Sequence, residues 1–123
     1  GLSYTEFDYS EVKIDKTEIT QGEPVNVSVI VKNTGNYDGE EVVQLYLKDV
    51  VRSITPPVKQ LKGFRKVFLK KGETKTVTLT LAPDDLKFYN SQLEFVSEPG
   101  VFEVFVGTNA ADTQKASFRL KAE

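Results

Sequence analysis

The chain has 123 residues, and it contains no His, Cys, Met or Trp. Without His and Cys it has no imidazole proton shuttle, thiol nucleophile, thiolate metal site or disulfide, so carboxylates, Lys, Tyr, Ser and Thr are the remaining candidate catalysts. Its 16 basic and 18 acidic residues are interspersed and give a net charge of -2, which argues against a nucleic-acid partner or a polybasic membrane surface.

Alternation of apolar and polar residues predicts strands along most of the chain. The first strand contains Val12 and Ile14, and the second runs through residues 25–31, where four valines alternate with other side chains. Residues 21–24, Gln-Gly-Glu-Pro, predict a turn between them. The run at residues 42–47 is apolar on both faces and predicts a central strand or a strand covered by another element.

Residues 49–60 form a stretch without strand alternation. It is too apolar for an ordinary solvated loop, and the adjacent Pro56 and Pro57 favour an extended conformation. Two interpretations follow: the stretch reaches toward another domain, or it folds back over the edge of its own sheet.

The second half of the chain predicts four more strands and one short helical turn. Strand character resumes at residues 61–69 and is clearest at residues 76–81, where threonines alternate with apolar residues. Residues 83–86 predict a helical turn, with Pro at its start and acids near its N-terminal end. The last two strands are predicted at residues 100–108 and 116–120.

About seven strands, without a helix of normal length or an internal repeat, predict an all-β fold. The expected architecture is a two-sheet antiparallel sandwich of immunoglobulin or fibronectin type III character. We assign residues 11–123 to the sandwich and residues 1–10 to a lead-in from a preceding domain. The aromatic residues of the lead-in either cover the sandwich's own edge or contact another domain.

The acidic residues show no spacing that marks a catalytic pair of carboxylates. The neighbouring acids at residues 40–41 and 84–85 are interpreted as solvated entrances to a strand and to a helical turn. Residues 38–41 lack the alternating-ligand loop of a calcium site, and no glycine-rich phosphate loop opens a helix. The sequence therefore predicts no catalytic, metal-binding or cofactor-binding residues.

Seven segments distributed over almost the whole chain carry a specific resemblance. In chain order they are GLSYTEF (1–7), VKNTG (31–35), GEEVVQLYL (39–47), PVKQLKGF (57–64), LKKGE (69–73), DLKFY (85–89) and EPGVFEVFVG (98–107). Their order resembles the fibronectin type III-like domain that ends glycoside hydrolase family 3 β-glucosidases. Small departures are Pro56, where the family often has Arg, Lys71, where it often has Pro, and residues 108–112, where two serines are usual.

The resemblance implies a parent enzyme that hydrolyses terminal β-linked glucose with retention, through an Asp nucleophile and a Glu acid/base. Those two residues belong to preceding domains of such enzymes, and no segment here matches their motifs. The chain alone is therefore expected to be inactive, with a structural role: it docks on the catalytic domains of the same polypeptide and stiffens the assembly. The candidate docking residues are Tyr4, Phe7, Val50, Val51, Ile54, Pro56 and Pro57.

Two other functions stay open at this point. One is a carbohydrate-binding module, in which exposed Tyr37 and Tyr89 stack on sugar rings. The other is a cell-surface adhesion or protein-binding sandwich. No cofactor is implied by the resemblance.

The composition also bears on cellular context. The absence of Cys favours a reducing compartment such as the cytoplasm, without excluding secretion. No apolar run approaches the roughly eighteen residues of a membrane helix. A chain that begins with Gly1 and has no Met is expected to be a piece of a longer protein.

Overall fold

The computed structural model describes residues 6–50 and 59–122. Within these residues the chain forms eleven β-strands and, at Pro83–Leu86, a turn of 3₁₀ helix. The strands are β1 (Phe7–Tyr9), β2 (Lys13–Ile14), β3 (Glu18–Ile19), β4 (Val25–Asn33), β5 (Gly39–Asp49), β6 (Gln60–Leu69), β7 (Thr74–Leu81), β8 (Phe88–Tyr89), β9 (Phe95–Val96), β10 (Gly100–Gly107) and β11 (Thr113–Leu120).

Strand β4 organises the first sheet of the sandwich. It pairs antiparallel with β7 along residues 25–32, and also with β1 at residues 31–33 and with β2 at residues 27–28. Successive side chains of a strand point to opposite faces. The four valines of β4 are therefore buried together on the inner face, while Ile30 and Lys32 are exposed on the outer face.

The second sheet has the strand order β3-β11-β10-β5-β6. Its neighbouring strands are antiparallel except for β3, which joins β11 in parallel. Strand β6 ends this order, so one of its edges has no neighbouring strand in the described part of the chain. A register shift between Leu45 and Tyr46 leaves Lys62 between the residues of β6 that pair with them, which is the pattern of a β-bulge.

The inner faces of the two sheets share one apolar core. Phe102 on β10 and Phe118 on β11 stack within it, with ring centroids 5.4 Å apart and ring planes 10° apart. Each fully buried side chain of this kind contributes about 1.5–3 kcal/mol by leaving water. The core holds the sheets face to face through Val25, Val27, Val29, Val31, Leu79 and Leu81 of the first sheet and Val43, Leu45, Leu47, Val104 and Val106 of the second.

The two-sheet sandwich predicted from the sequence is confirmed. The seven predicted strands correspond to β2, β4, β5, β6, β7, β10 and β11, and the predicted helical turn is the 3₁₀ turn. Part of the predicted lead-in forms β1, whose Phe7 and Tyr9 pack against the core. The sequence prediction does not include β3, β8 and β9, which have two residues each. Strand β2 is equally short and is predicted only because alternation extends beyond it, over residues 11–15.

Asn33 is a buried polar residue at the end of β4, and it links the two sheets. Its Nδ2 donates to the carbonyl oxygens of Leu69 on β6 (3.0 Å) and of Tyr37 in the β4–β5 loop (2.7 Å). Its Oδ1 accepts from the N–H of Gly35 at 3.0 Å. Its backbone N–H and C=O also bond to the turn between β6 and β7, at 2.9 and 3.0 Å. One residue therefore joins strand ends from both sheets.

Glu41 on β5 is the other buried polar residue of the described chain. Its Oε2 accepts from the hydroxyls of Tyr9 on β1 (2.9 Å) and Thr108 after β10 (3.0 Å). Burial, together with the charge of Glu41 and the hydrogen bond to it, raises the pKa of Tyr9 above its ordinary value of 10.0. The Tyr9 hydroxyl therefore stays neutral and acts as a donor that ties β1 to the second sheet.

Replacing Asn33 by Ala tests the link between the sheets. Asn33→Ala leaves the buried carbonyl of Leu69 without this donor, so we expect it to lower the free energy of unfolding by about 3 kcal/mol. Urea denaturation of the isolated chain measures the change. Asn36→Ala, at an exposed position of the same loop, is the control and should stay within about 0.5 kcal/mol of the unmodified chain. Equal effects of the two variants would contradict the role given to Asn33.

The raised pKa of Tyr9 predicts a specific loss of stability at high pH. A hydroxyl with a higher pKa in the folded state stabilises folding below its unfolded pKa, and that contribution is lost as the pH rises beyond it. Tyr9→Phe should therefore be less stable than the unmodified chain at about pH 8, and the difference should shrink by about pH 11. Urea denaturation at both pH values checks this, with the exposed Tyr89→Phe as control. A difference that is constant with pH would contradict the prediction.

Candidate functional site

The outer faces of the two sheets differ in chemistry. On the first sheet, strand β7 turns a row of exposed threonines outward, namely Thr74, Thr76, Thr78 and Thr80. The hydroxyl of Thr80 donates to Oδ1 of Asn26 on β4 at 2.7 Å. This outer face is therefore mainly polar and suited to contact with water.

The second sheet carries a group of exposed apolar side chains on its edge strand. Leu61, Phe64 and Phe68 of β6 are 54%, 60% and 50% exposed, and we refer to them as the β6 face. Phe64 lies opposite Gln44 and Phe68 opposite Glu40, both on the outward side of β5. The three side chains therefore point away from the core.

The bulge in β6 is what brings Leu61 onto this face. Leu61 and Phe64 are three residues apart, a spacing that points side chains to opposite faces of a regular strand. Leu61 pairs with Tyr46 and Phe64 pairs with Gln44, however, and these two residues of β5 share a face. Tyr46, whose hydroxyl hydrogen-bonds to Gln44, lies opposite Phe105 of β10 and extends the apolar surface across the sheet.

Basic residues are frequent on and just before the strand that carries the β6 face. Lys62, Arg65 and Lys66 lie on β6 itself. Just before the strand, Nζ of Lys59 lies 4.1 Å from the ring centroid of Phe105, in cation–π geometry, and donates to a backbone oxygen of the β10–β11 loop at 2.8 Å. The surface thus combines exposed aromatic rings with positive charge.

A second exposed apolar cluster, the aromatic hairpin, lies at β8, β9 and their connecting turn. The rings of Tyr89 and Phe95 have centroids 5.0 Å apart and are tilted by 43°. Leu93 in the turn is 82% exposed and has φ 61°, a left-handed conformation that is uncommon for leucine. Asn90 stabilises the turn, because its Oδ1 accepts two backbone N–H bonds at 2.9 and 3.0 Å.

Two of the docking residues predicted from the sequence lie in the described part of the chain. Phe7 is half-buried on β1 and packs against the sandwich's own core. Val50 is 36% exposed and directly follows β5, where its N–H donates to the carbonyl oxygen of Val101 at 3.1 Å. The other predicted docking residues fall outside the described residues: Tyr4, Val51, Ile54, Pro56 and Pro57.

The sequence prediction identifies β6 as a strand without singling out the β6 face. A usable signal exists, because Phe64 and Phe68 alternate with Val67 and Leu69. A strand with apolar side chains on both faces exposes apolar surface to water unless another part of the protein packs against each face. Leu69 and Val67 reach the core, whereas Phe64 and Phe68 have no such cover among the described residues.

Three of the four acids in the neighbouring pairs 40–41 and 84–85 have structural contacts. Oδ2 of Asp85 accepts from the N–H of Ala82 at 2.7 Å, and Asp84 forms an ion pair with Lys87 at 3.0 Å. Glu41 is buried between strands. The described residues contain no group of three or more side chains that could hold a metal ion, and no helix long and apolar enough to cross a membrane.

The family of the chain follows from its sequence and fold together. Residues 41–110, more than half of the chain, match the model of the fibronectin type III-like domain. The chain belongs to this family of domains. The matched region includes the β6 face and the aromatic hairpin.

Similar proteins are glycoside hydrolases. A thermostable β-glucosidase B of Acetivibrio thermocellus is 48% identical over 124 residues, which cover 99% of this chain and 16% of the enzyme. A putative β-xylosidase of Formosa agariphila is 46% identical over 121 residues, which cover 98% of this chain and 16% of that protein. The chain thus spans about a sixth of the length of the curated relatives it matches.

Solved structures agree in fold. The crystal structure of a β-glucosidase from Listeria innocua in complex with glucose matches with a TM-score of 0.91 and 44% identity, covering 99% of this chain and 17% of that one. A GH3 β-glucosidase of Bifidobacterium adolescentis matches with a TM-score of 0.86 and 34% identity, covering 98% and 18%. The resemblance predicted from the seven sequence segments is confirmed.

The left-handed turn residue of the aromatic hairpin gives a testable prediction. The left-handed conformation costs an L-residue about 1–2 kcal/mol, more than the roughly 0.5–1 kcal/mol of extra chain entropy that glycine loses on folding. Leu93→Gly should therefore raise the free energy of unfolding by up to about 1 kcal/mol. Gln92→Gly, at a neighbouring position without positive φ, is the control and should lower it. Urea denaturation compares the two, and a destabilising Leu93→Gly would contradict this account of the turn.

Proposed function

We propose that this chain is a non-catalytic accessory domain of a β-glucosidase, and that it stabilises the enzyme by docking on the catalytic domains of the same polypeptide. The observation that carries the proposal is the β6 face. It exposes Leu61, Phe64 and Phe68 on one sheet, while the outer face of the other sheet is lined by threonines. Grouped apolar side chains on one face of a domain are typical of an interaction surface.

The size of the β6 face suits a contact within one polypeptide. Each of its three side chains is about half exposed, so covering all three contributes about 3 kcal/mol. A contribution of this size is too small to hold two separate proteins together, since association itself costs at least about 4 kcal/mol. Two domains of one polypeptide lose less translational and rotational freedom when they dock, because the linkage already keeps them at a high effective concentration.

In the parent enzyme we propose hydrolysis of terminal β-D-glucosyl residues with retention of configuration. The Asp nucleophile and the Glu acid/base would come from catalytic domains outside this chain. The carboxylates within the chain support this division of roles. Asp84, Asp85 and Glu41 are engaged in an ion pair, a turn and an interior hydrogen bond.

Carbohydrate binding is the second candidate function, and the aromatic hairpin favours it. Tyr89 is 65% exposed and Phe95 is 47% exposed. Their 43° tilt means that both rings cannot lie flat on one sugar ring. Calorimetric titration of the isolated chain with soluble and insoluble glucans separates the two functions. Saturable binding that is lost in Tyr89→Ala would favour a carbohydrate-binding module, whereas a structural domain should show none.

A chimera tests the docking function. In it, this chain replaces the matching segment of the Listeria innocua β-glucosidase, and the temperature of half-inactivation and the turnover are measured. We expect Phe64→Thr with Phe68→Thr to lower the half-inactivation temperature by roughly 2–5 °C, because the contact of the β6 face is weakened. Threonine keeps the β-propensity of the strand, so the change acts mainly on the surface.

Ile30→Thr is the matched control for this chimera. Ile30 is an exposed apolar residue on the outer face of the first sheet, 42% exposed. It should leave the half-inactivation temperature unchanged. Each variant is also measured in the isolated chain, so that a loss seen only in the chimera reports docking. An unchanged chimera, or equal losses in the chimera and in the isolated chain, would contradict the proposed function.

A further inference from the structure

The charge of β6 and its flanks differs from that of the rest of the chain. Between Asp49 and Glu73 the sequence has no acidic residue, although the whole chain has a net charge of -2. The basic residues of this stretch are Arg52, Lys59, Lys62, Arg65, Lys66, Lys70 and Lys71. Charges are interspersed elsewhere, so this one-sided stretch is a local feature of the strand that carries the β6 face.

The cations of β6 are available to a partner. Lys66 lies opposite Val42, on the same outward side as Phe64 and Phe68. Arg65 lies opposite the inward-facing Val43, on the other side of the strand, and is exposed on this edge strand. The described residues form four ion pairs, and none of them involves Lys62, Arg65 or Lys66. These three basic residues therefore do not stabilise the described part of the sandwich through ion pairs.

We infer that the β6 face docks on a surface of the catalytic domains that has an apolar centre and an acidic rim. This inference rests on the proposed function and adds the chemistry of the partner. The aromatic rings supply the desolvated centre of such a contact, and the cations of β6 meet carboxylates at its edge. Complementary charge of this kind fixes orientation and register more than it adds affinity.

The same charges argue against a second copy of this chain as the occupant. Edge-to-edge pairing of two β6 strands would bring Lys62, Arg65 and Lys66 of one copy close to those of the other. Like charges across paired strands are destabilising, and lysines on an edge strand are a common means of preventing such pairing. An acidic partner uses these cations, whereas a second copy is repelled by them.

Charge reversal in the Listeria innocua chimera tests the inference. The test variant is Arg65→Glu with Lys66→Glu, and the control is Lys13→Glu with Lys32→Glu. The control pair is exposed on the first sheet and changes the net charge by the same amount. We expect the test variant alone to lower the half-inactivation temperature, by roughly 2–4 °C. We also expect added salt to lower it in the unmodified chimera and to have less effect in the test variant, because salt screens exposed ion pairs.

The outcomes separate this inference from the proposed function. Loss of stability in both the charge variant and the Phe64→Thr with Phe68→Thr variant supports both. Loss in the aromatic variant alone, without dependence on salt, overturns the acidic rim and leaves the docking function standing. No loss in either variant overturns both. Saturable binding of polygalacturonate to the isolated chain, lost in the charge variant while the chimera is unaffected, would identify an anionic glycan as the partner and overturn the inference.

Discussion

The two hydrogen bonds donated by the buried amide of Asn33 are the constraint on which the arrangement of the sheets depends. They join the end of β4 to Leu69 of β6 and to the loop that leads into β5. The hydrophobic effect holds the two sheets together but does not fix their alignment, because its free energy depends on the apolar area removed from water and not on orientation. The amide adds direction, since an offset of one residue would leave buried donors and acceptors unsatisfied. Glu41 acts at the same end of the sandwich by joining Tyr9 and Thr108.

The hydrogen bonds of Asn33 and Glu41 lie at one end of the sandwich and do not involve the outer faces of the sheets. The two outer faces differ in chemistry. The first sheet meets water through the threonines of β7. The second sheet ends in a strand with exposed aromatic rings and with basic side chains that form no ion pair among residues 6–50 and 59–122. The asymmetry fits a domain of the fibronectin type III-like family whose relatives are much longer glycoside hydrolases. Asn33 and Glu41 serve the fold in the interior, so the features of this domain that are available to a partner lie on its surface.

The strands could be predicted because period-two alternation reports burial of one face directly. Residues 25–31 and 76–81 show this most clearly, and they form adjacent strands of the first sheet. Apolar residues on both sides of β6 signal that both sides need cover, but alternation alone does not show which side stays exposed in the fold. The roles of Asn33 and Glu41 were equally hidden. From the sequence, Asn33 and Glu41 are polar residues near the ends of strands. Some of their hydrogen-bond partners lie on segments that are distant in sequence and are brought close only by the fold.

The bulge at Lys62 constrains the length of β6 as well as its composition. Leu61 shares a face with Phe64 only because one residue of β6 falls outside the pairing with β5. Deleting Lys62 would leave Leu61 two residues from Phe64 in a regular strand, and the two side chains would still share a face. Straightening the bulge while Lys62 is kept would instead turn Leu61 to the opposite side. The bulge and the number of residues together therefore decide which side of the sheet Leu61 occupies. Among sequences of this family, this surface should be kept either with two residues between the apolar positions and a bulge, or with one residue between them and a regular strand.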